Sequence, residues 1–197
     1  MMRTMILSTG AAIPGVRKLN SDFALHTFYD KRQTVIADPP QVVTDKFESI
    51  TGIRERRYAP SNIVASDLAL EAARQAIDRS QVDPESLAFI SVATNCGDVR
   101  KHTTQSDFLP ALAARVKHGL GIRKPECIVF DLVIGCPGWI QAFIQADLMI
   151  GSQLGKQDRI QVWIGALDDP VERERHRHDR QSAHRRPHKR HCESVWR

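Results

Sequence analysis

Along the first 167 residues, short continuous apolar runs alternate with stretches of helical period. Leu87-Ala88-Phe89-Ile90-Ser91-Val92-Ala93-Thr94, Ile128 to Ile134 and Ile160 to Ala166 are the runs expected of strands buried on both faces. Met5 to Thr9 reads as a further strand that ends in a Gly turn. Between these lie three helical patterns. The first spans Ser66 to about Ser80, with Ser66 as a cap, Asp67 at the positive end and Ala69, Ala72, Ala73, Ala76 and Ile77 on one face. The second begins near Pro110, carries Leu112, Ala113, Val116 and Leu120, and is ended by Gly119 and Gly121. The third runs from Gly138 to about Ile150 and is apolar on nearly all faces, so deep burial is expected of it.

Strand, helix, strand, helix, strand, helix, strand is the order of an α/β layer fold, with a mainly parallel sheet and helices on both faces. The polar stretch Asn95 to Leu109 follows a strand end, where such folds place binding loops. After Leu167 the pattern stops. Residues 168–197 have almost no aliphatic side chains and hold five of the eight histidines. We therefore divide the chain into a domain of residues 1–167 and an Arg/His-rich tail of residues 168–197. The tail reads as a disordered arm, a metal tract or a stretch in a shifted reading frame. The last is favoured, because the break falls where an α/β domain is unfinished.

Composition adds limits. A chain of 197 residues with 42% hydrophobic and 26% charged residues is globular. The net charge of +5 is unevenly spread: residues 1–167 hold 19 Lys and Arg against 17 Asp and Glu, and residues 168–197 hold 9 against 6. A nearly neutral body gives no reason to expect nucleic acid. No apolar run of eighteen residues is present, so no membrane span is expected, and the opening residues lack the apolar core of a signal peptide. Cys96, Cys127, Cys136 and Cys192 show no C-x-x-C spacing, which fits free thiols in a cytoplasmic setting.

The richest stretch is Phe130-Asp131-Leu132-Val133-Ile134-Gly135-Cys136-Pro137-Gly138-Trp139-Ile140, where an apolar strand meets an apolar helix at a cysteine. A thiol at the positive end of a helix is favoured as thiolate, and an N–H at the same turn is suited to a developing oxyanion. Gly135 and Gly138 allow a sharp turn and close approach of helix and strand. From spacing alone, a buried structural cysteine remains the alternative.

Two further stretches lie in the same order as in one known family. Thr51-Gly52-Ile53-Arg54-Glu55-Arg56-Arg57-Tyr58 resembles the TGIRERR signature of β-ketoacyl-acyl-carrier-protein synthase III, a thiolase-like condensing enzyme. Ser66-Asp67-Leu68-Ala69, Ala72-Ala73 and Leu87 to Thr94 resemble the helix and strand that follow it. The resemblance runs from about Met5 to Leu167, the N-terminal half of that fold, and sets Cys136 on the catalytic cysteine. It implies an acyltransferase of fatty acid biosynthesis whose cysteine takes an acyl group from a thioester, on coenzyme A or acyl-carrier protein. Decarboxylating malonyl-carrier protein then attacks the acyl-cysteine. No other cofactor and no metal is implied, and the partners are acyl-carrier protein and, in a full-length form, a second copy in a homodimer.

The resemblance also has departures. The family's His and Asn come from the second half of the fold, and none of His176, His178, His184, His188 or His191 matches the histidine motif. Lys46 and Ile50 stand where coenzyme A-using relatives carry a Trp and an Arg. A lysine can attract phosphate, but it cannot stack an adenine. Pro137 removes one N–H beside the nucleophile. Arg54 and Arg56 are equally well read as an ion-paired face. With half a fold missing, exposed apolar faces and poor solubility are expected. The competing readings are specialised acyl transfer in secondary metabolism, an inactive truncated relative, and a tail module that binds metal or nucleic acid.

Overall fold

The computed structural model describes residues 4–99, 103 and 105–152, together with the backbone of residues 162–167. In chain order the elements are β1 (Val16–Leu19), α1 (Pro40–Thr51), β2 (Glu55–Tyr58), α2 (Ala65–Ser80), β3 (Phe89–Thr94), β4 (Asp98–Val99), β5 (Ser106–Asp107), α3 (Leu112–Gly119), β6 (Ile128–Val133), α4 (Gly138–Gly151) and β7 (Val162–Leu167). The Arg/His-rich tail and the first two residues of the expected last strand, Ile160 and Gln161, lie outside the described residues.

The centre is β3, flanked in parallel by β6 and β7. All six of its residues are buried, as a strand covered on both faces and paired on both edges requires. Alternation sends Ile90 and Val92 to one face, where they join Ala69, Ala73 and Ala76 of α2 and Leu112, Ala113 and Val116 of α3 in a single cluster. Ala93 faces the other way, toward the start of α4. The mainly parallel sheet with helices on both faces is therefore present.

The helices begin for identifiable reasons. Ser66 does not cap α2 as expected. It lies inside the first turn, where its N–H and hydroxyl both donate to the buried Asp98, at 2.7 and 2.6 Å. Asp98 thus caps this end of α2, and Asp67 supports the turn, its carboxylate accepting the N–H of Val64 at 2.9 Å. Pro110 likewise precedes α3, which starts at Leu112. Arg115 of α3 reaches back to Asp98 at 2.5 Å and to Asp107 at 3.1 Å, tying α3 to β4 and β5.

Two expectations are corrected. Met5 to Thr9 forms no strand, because among the described residues it has no ladder partner. Its neighbourhood runs along α2 instead: Ser8 donates to the Ala76 carbonyl at 2.6 Å, and Arg79 donates to the Thr9 carbonyl at 2.7 Å. Gly10 makes this approach possible, since a Cβ there would lie 2.0 Å from the Ala72 carbonyl oxygen. Nor is α4 deeply buried. Gly138, Ala142 and Ala146 face the sheet, while Trp139, Ile140, Phe143, Ile144 and Leu148 remain partly exposed.

At the end of the sheet away from Cys136, the Glu85 carboxylate accepts the N–H groups of Arg123 at 2.8 Å and Lys124 at 3.1 Å. The Arg123 N–H is the main cause holding Glu85 below the usual glutamate value of 4.5; desolvation opposes it, and Lys124 adds to it. A carboxylate depressed in the folded state stabilises above its unfolded value, and that stability is lost as pH falls through the folded value. Glu85→Gln is therefore expected to lower the urea midpoint at neutral pH. The gap to the parent should close as pH falls below the usual glutamate range, as measured by urea titrations across pH 3 to 7.

Candidate active site

The parallel ladder between β3 and β6 closes at Thr94 and Val133, so both strands leave the sheet at the same level. After β6 the chain turns through Gly135, Cys136 and Pro137, with the Gly138 N–H donating to the Gly135 carbonyl at 2.9 Å. Gly138 opens α4 close against β3, where an added Cβ would stand 3.3 Å from the Cβ of Ala93. The tight contact holds the start of α4 at the sheet edge, and Cys136 is exposed on the turn between them. The strand-to-helix setting expected for this cysteine is thus present.

The N-terminal ends of α2 and α3 also lie along this edge, and each is occupied by a carboxylate. Asp98 takes the Ser66 N–H at the start of α2. Asp131, from the middle of β6, takes the N–H groups of Leu112 at 2.7 Å and Ala113 at 2.9 Å at the start of α3. No side chain caps α4, whose N-cap residue is Pro137. The end of α4 beside the exposed thiol is therefore the one that no acidic side chain among the described residues caps, which suits developing negative charge.

The other cysteines differ in setting. Cys96 and Cys127 are buried, and burial is the first cause pushing the Cys127 thiol up, against the lowering influence of Lys117 and Lys124. Cys192 and the five tail histidines lie outside the described residues. Among the described residues no group of three or more His, Cys, Asp or Glu is placed to hold a metal ion, and no helix is long and apolar enough to cross a membrane.

The TGIRERR stretch has a local architectural role. Gly52 ends α1 in the left-handed conformation, φ 68°, with its N–H on the Glu48 carbonyl at 2.7 Å. Arg54 pairs with Glu48, and Arg57 and Arg17 both pair with Glu55. Arg56 donates to the Asn20 side chain at 2.7 Å and lies over the rings of Phe23 and Phe47, 5.7 and 5.3 Å from their centroids. These contacts clasp α1, β1 and β2 together, and they do not bring the arginines to Cys136. Lys46 pairs with Asp38 at 3.3 Å, and Ile50 is exposed.

Two residues of the edge, Asp98 and Asp131, have roles that sequence pattern alone does not assign. A signal exists for the second: a carboxylate within Ile128-Val129-Phe130-Asp131-Leu132-Val133 must find buried donors to be tolerated there.

No family model matches the chain. In sequence it is 39% identical over 104 residues to β-ketoacyl-[acyl-carrier-protein] synthase III of Symbiobacterium thermophilum, covering 53% of this chain and 28% of that protein. It is 32% identical over 149 residues to the enzyme of the same name from Haemophilus influenzae, covering 76% of this chain and 40% of that one. Among solved structures, β-ketoacyl-[acyl-carrier-protein] synthase III of Thermus thermophilus superposes with a TM-score of 0.59 at 29% identity, over 78% of this chain and 40% of that one. An OleA variant from Xanthomonas campestris shares the fold, with a TM-score of 0.64 at 21% identity over 92% of this chain and 50% of that one. The chain spans less than half the length of the curated relatives it matches. Over the residues it shares with them, the chain is similar to β-ketoacyl-[acyl-carrier-protein] synthase III, and it carries part of the thiolase-like condensing-enzyme fold.

Proposed function

We propose that the chain is part of an acyltransferase in which Cys136 accepts an acyl group from a thioester. The observation that carries this reading is the exposed Cys136 thiol beside the uncapped start of α4, in a chain related to condensing enzymes. In the first stage the Cys136 Sγ attacks the thioester carbonyl. A carbon–sulfur bond to Cys136 forms, the bond to the donor's sulfur breaks, and the released thiolate takes up the proton. Negative charge gathers on the carbonyl oxygen during this step, where the positive end of α4 supports it.

In the second stage, malonyl-carrier protein loses carbon dioxide, and its carbanion attacks the acyl-cysteine. A carbon–carbon bond forms and Cys136 leaves as thiolate, so the chain grows by two carbons, as in fatty acid biosynthesis. The resemblance implies that this stage uses a His and an Asn from the second half of the fold, and neither is assigned in this chain. The partners this reading calls for are acyl-carrier protein and a second copy in a cytoplasmic homodimer. Lys46 and Ile50, where coenzyme A-using relatives carry a Trp and an Arg, cannot stack an adenine, which favours a donor recognised without an adenine clamp, such as carrier-protein-bound acyl groups or the unusual acyl units of specialised metabolism.

Two outcomes are expected. Incubation with acyl-coenzyme A and acyl-carrier-protein donors should add one acyl mass on Cys136 by peptide mass spectrometry, and Cys136→Ser should lower uptake at least about a hundredfold. No adduct from any donor would count against the reading. In iodoacetamide time courses, Cys136 should react at least about tenfold faster than Cys96 and Cys127, whose thiols are buried.

A further inference from the structure

Asp131 is half-buried in a strand that is otherwise apolar, and both of its carboxylate oxygens are engaged by the backbone of another element. We infer that Asp131 is a positioning residue for the Cys136 turn, an inference that rests on the acyl-transfer reading of that site.

In the described residues β6 lies at the edge of the three-stranded sheet, paired only with β3. Its ladder stops at Val133, three residues before the thiol. Past that point Ile134 and Cys136 are exposed, and no described strand holds them. On the face opposite α4, β6 is held by Val129, which packs against the main cluster, and, nearer the thiol, by the pair of hydrogen bonds from Leu112 and Ala113 to Asp131.

Those donors sit on a fixed point. Leu112, Ala113 and Val116 are fully buried in the main cluster, so the start of α3 has little freedom to follow a shifting strand. The residue before α3, Ala111, supplies no side-chain cap, which leaves Asp131 as the side chain that binds these two N–H groups. Cys136 thus stands between two pins. Asp131 fixes the strand to α3 five residues before it, and Gly138 fixes α4 against Ala93 two residues after it. Loss of the first pin lets the end of β6 move against α4, which changes where the thiol stands relative to the helix end. A displacement of about 1 Å in a reacting group is enough to slow a reaction that depends on alignment about a hundredfold. A small, undirected alkylating agent has no such dependence.

The test compares two reactions of the same sulfur in the full chain. Cys136 is acylated with an acyl thioester and, separately, alkylated with iodoacetamide, and the ratio of the two rates is taken. Asp131→Ala should lower that ratio about tenfold or more, and Asp131→Asn, which keeps one acceptor oxygen, should recover at least about half of the loss on a logarithmic scale. Glu85→Gln is the control for general loosening: it should reduce stability and leave the ratio at the parental value. Should Asp131→Ala not fold, Asp131→Asn and Asp131→Ser decide the matter, with a lowered ratio in support. A parental ratio in the Asp131 variants overturns the inference, as does an equal fall in Glu85→Gln. If the parent takes no acyl group from any donor while iodoacetamide still modifies Cys136, the acyl-transfer reading itself is wrong and this inference falls with it.

Discussion

The parallel pairing of β3 with β6 on one side and β7 on the other is the constraint on which the described part of the chain depends. Among the described residues of β3 the buried Ser91 hydroxyl is left without a partner, but a strand paired on both edges and buried on both faces has its backbone groups satisfied by neighbours. Its cost is order: three segments far apart in sequence must come to one register before any of them is stable. In return, every strand that pairs with β3 ends at the same edge. The Cys136 turn and the Asp98 loop stand side by side because Thr94 and Val133 are ladder partners, whatever the loops themselves prefer.

That edge then sets an electrostatic problem. Three helices direct their N-terminal ends toward it, each with unsatisfied N–H groups and a partial positive charge. For α2 and α3 the chain solves the problem internally, with Asp98 and Asp131. Asp98 is compensated further by Arg115, so the first of these caps is also the anchor of β4 and β5. For α4 no carboxylate of the described residues intervenes, and a thiol stands there in place of an acid. The three helix ends therefore differ: two are closed by carboxylates, and the third, among the described residues, stands beside the exposed thiol.

How much of this is legible in the sequence depends on whether a residue's role lies in its own periodicity or in a distant partner. The three paired strands and the three helices that cover them show in the spacing of Phe89 to Thr94, Ile128 to Val133, Ala69 to Ala76 and Leu112 to Val116, because burial itself produces the pattern. The strand-to-helix junction at Cys136 is equally local. By contrast, Pro40–Thr51 is as amphipathic as α3 but sets Val42, Val43 and Phe47 among many polar residues, and its Phe47 packs on Phe23 and Phe28 away from the three-stranded sheet. The strand β2 is hidden because Glu55-Arg56-Arg57-Tyr58 is charged, and its arginines are tolerated through Asn20, Glu55 and two aromatic rings. Asp98 and Asp131 escape notice for the same reason, since a capping carboxylate 18 to 32 residues from its helix leaves no local spacing to read.

The shallower burial of α4 follows from the same distinction. An apolar helix reports how much of its surface must leave water, and says nothing of which element covers it. On the sheet side the answer lies within the described chain, where Gly138, Ala142 and Ala146 are small enough to bring the helix axis close to β3 and β7. On the other side, Trp139 and Phe143 pack edge to face on each other, ring centroids 5.7 Å apart, yet both remain partly in water beside Ile140 and Ile144. The two faces are therefore built differently: small residues where the contact is already made, and large ones on the opposite face. Cys136 precedes both, so the contact that fixes α4 to the sheet and the apolar face that is still uncovered meet at the turn carrying the thiol.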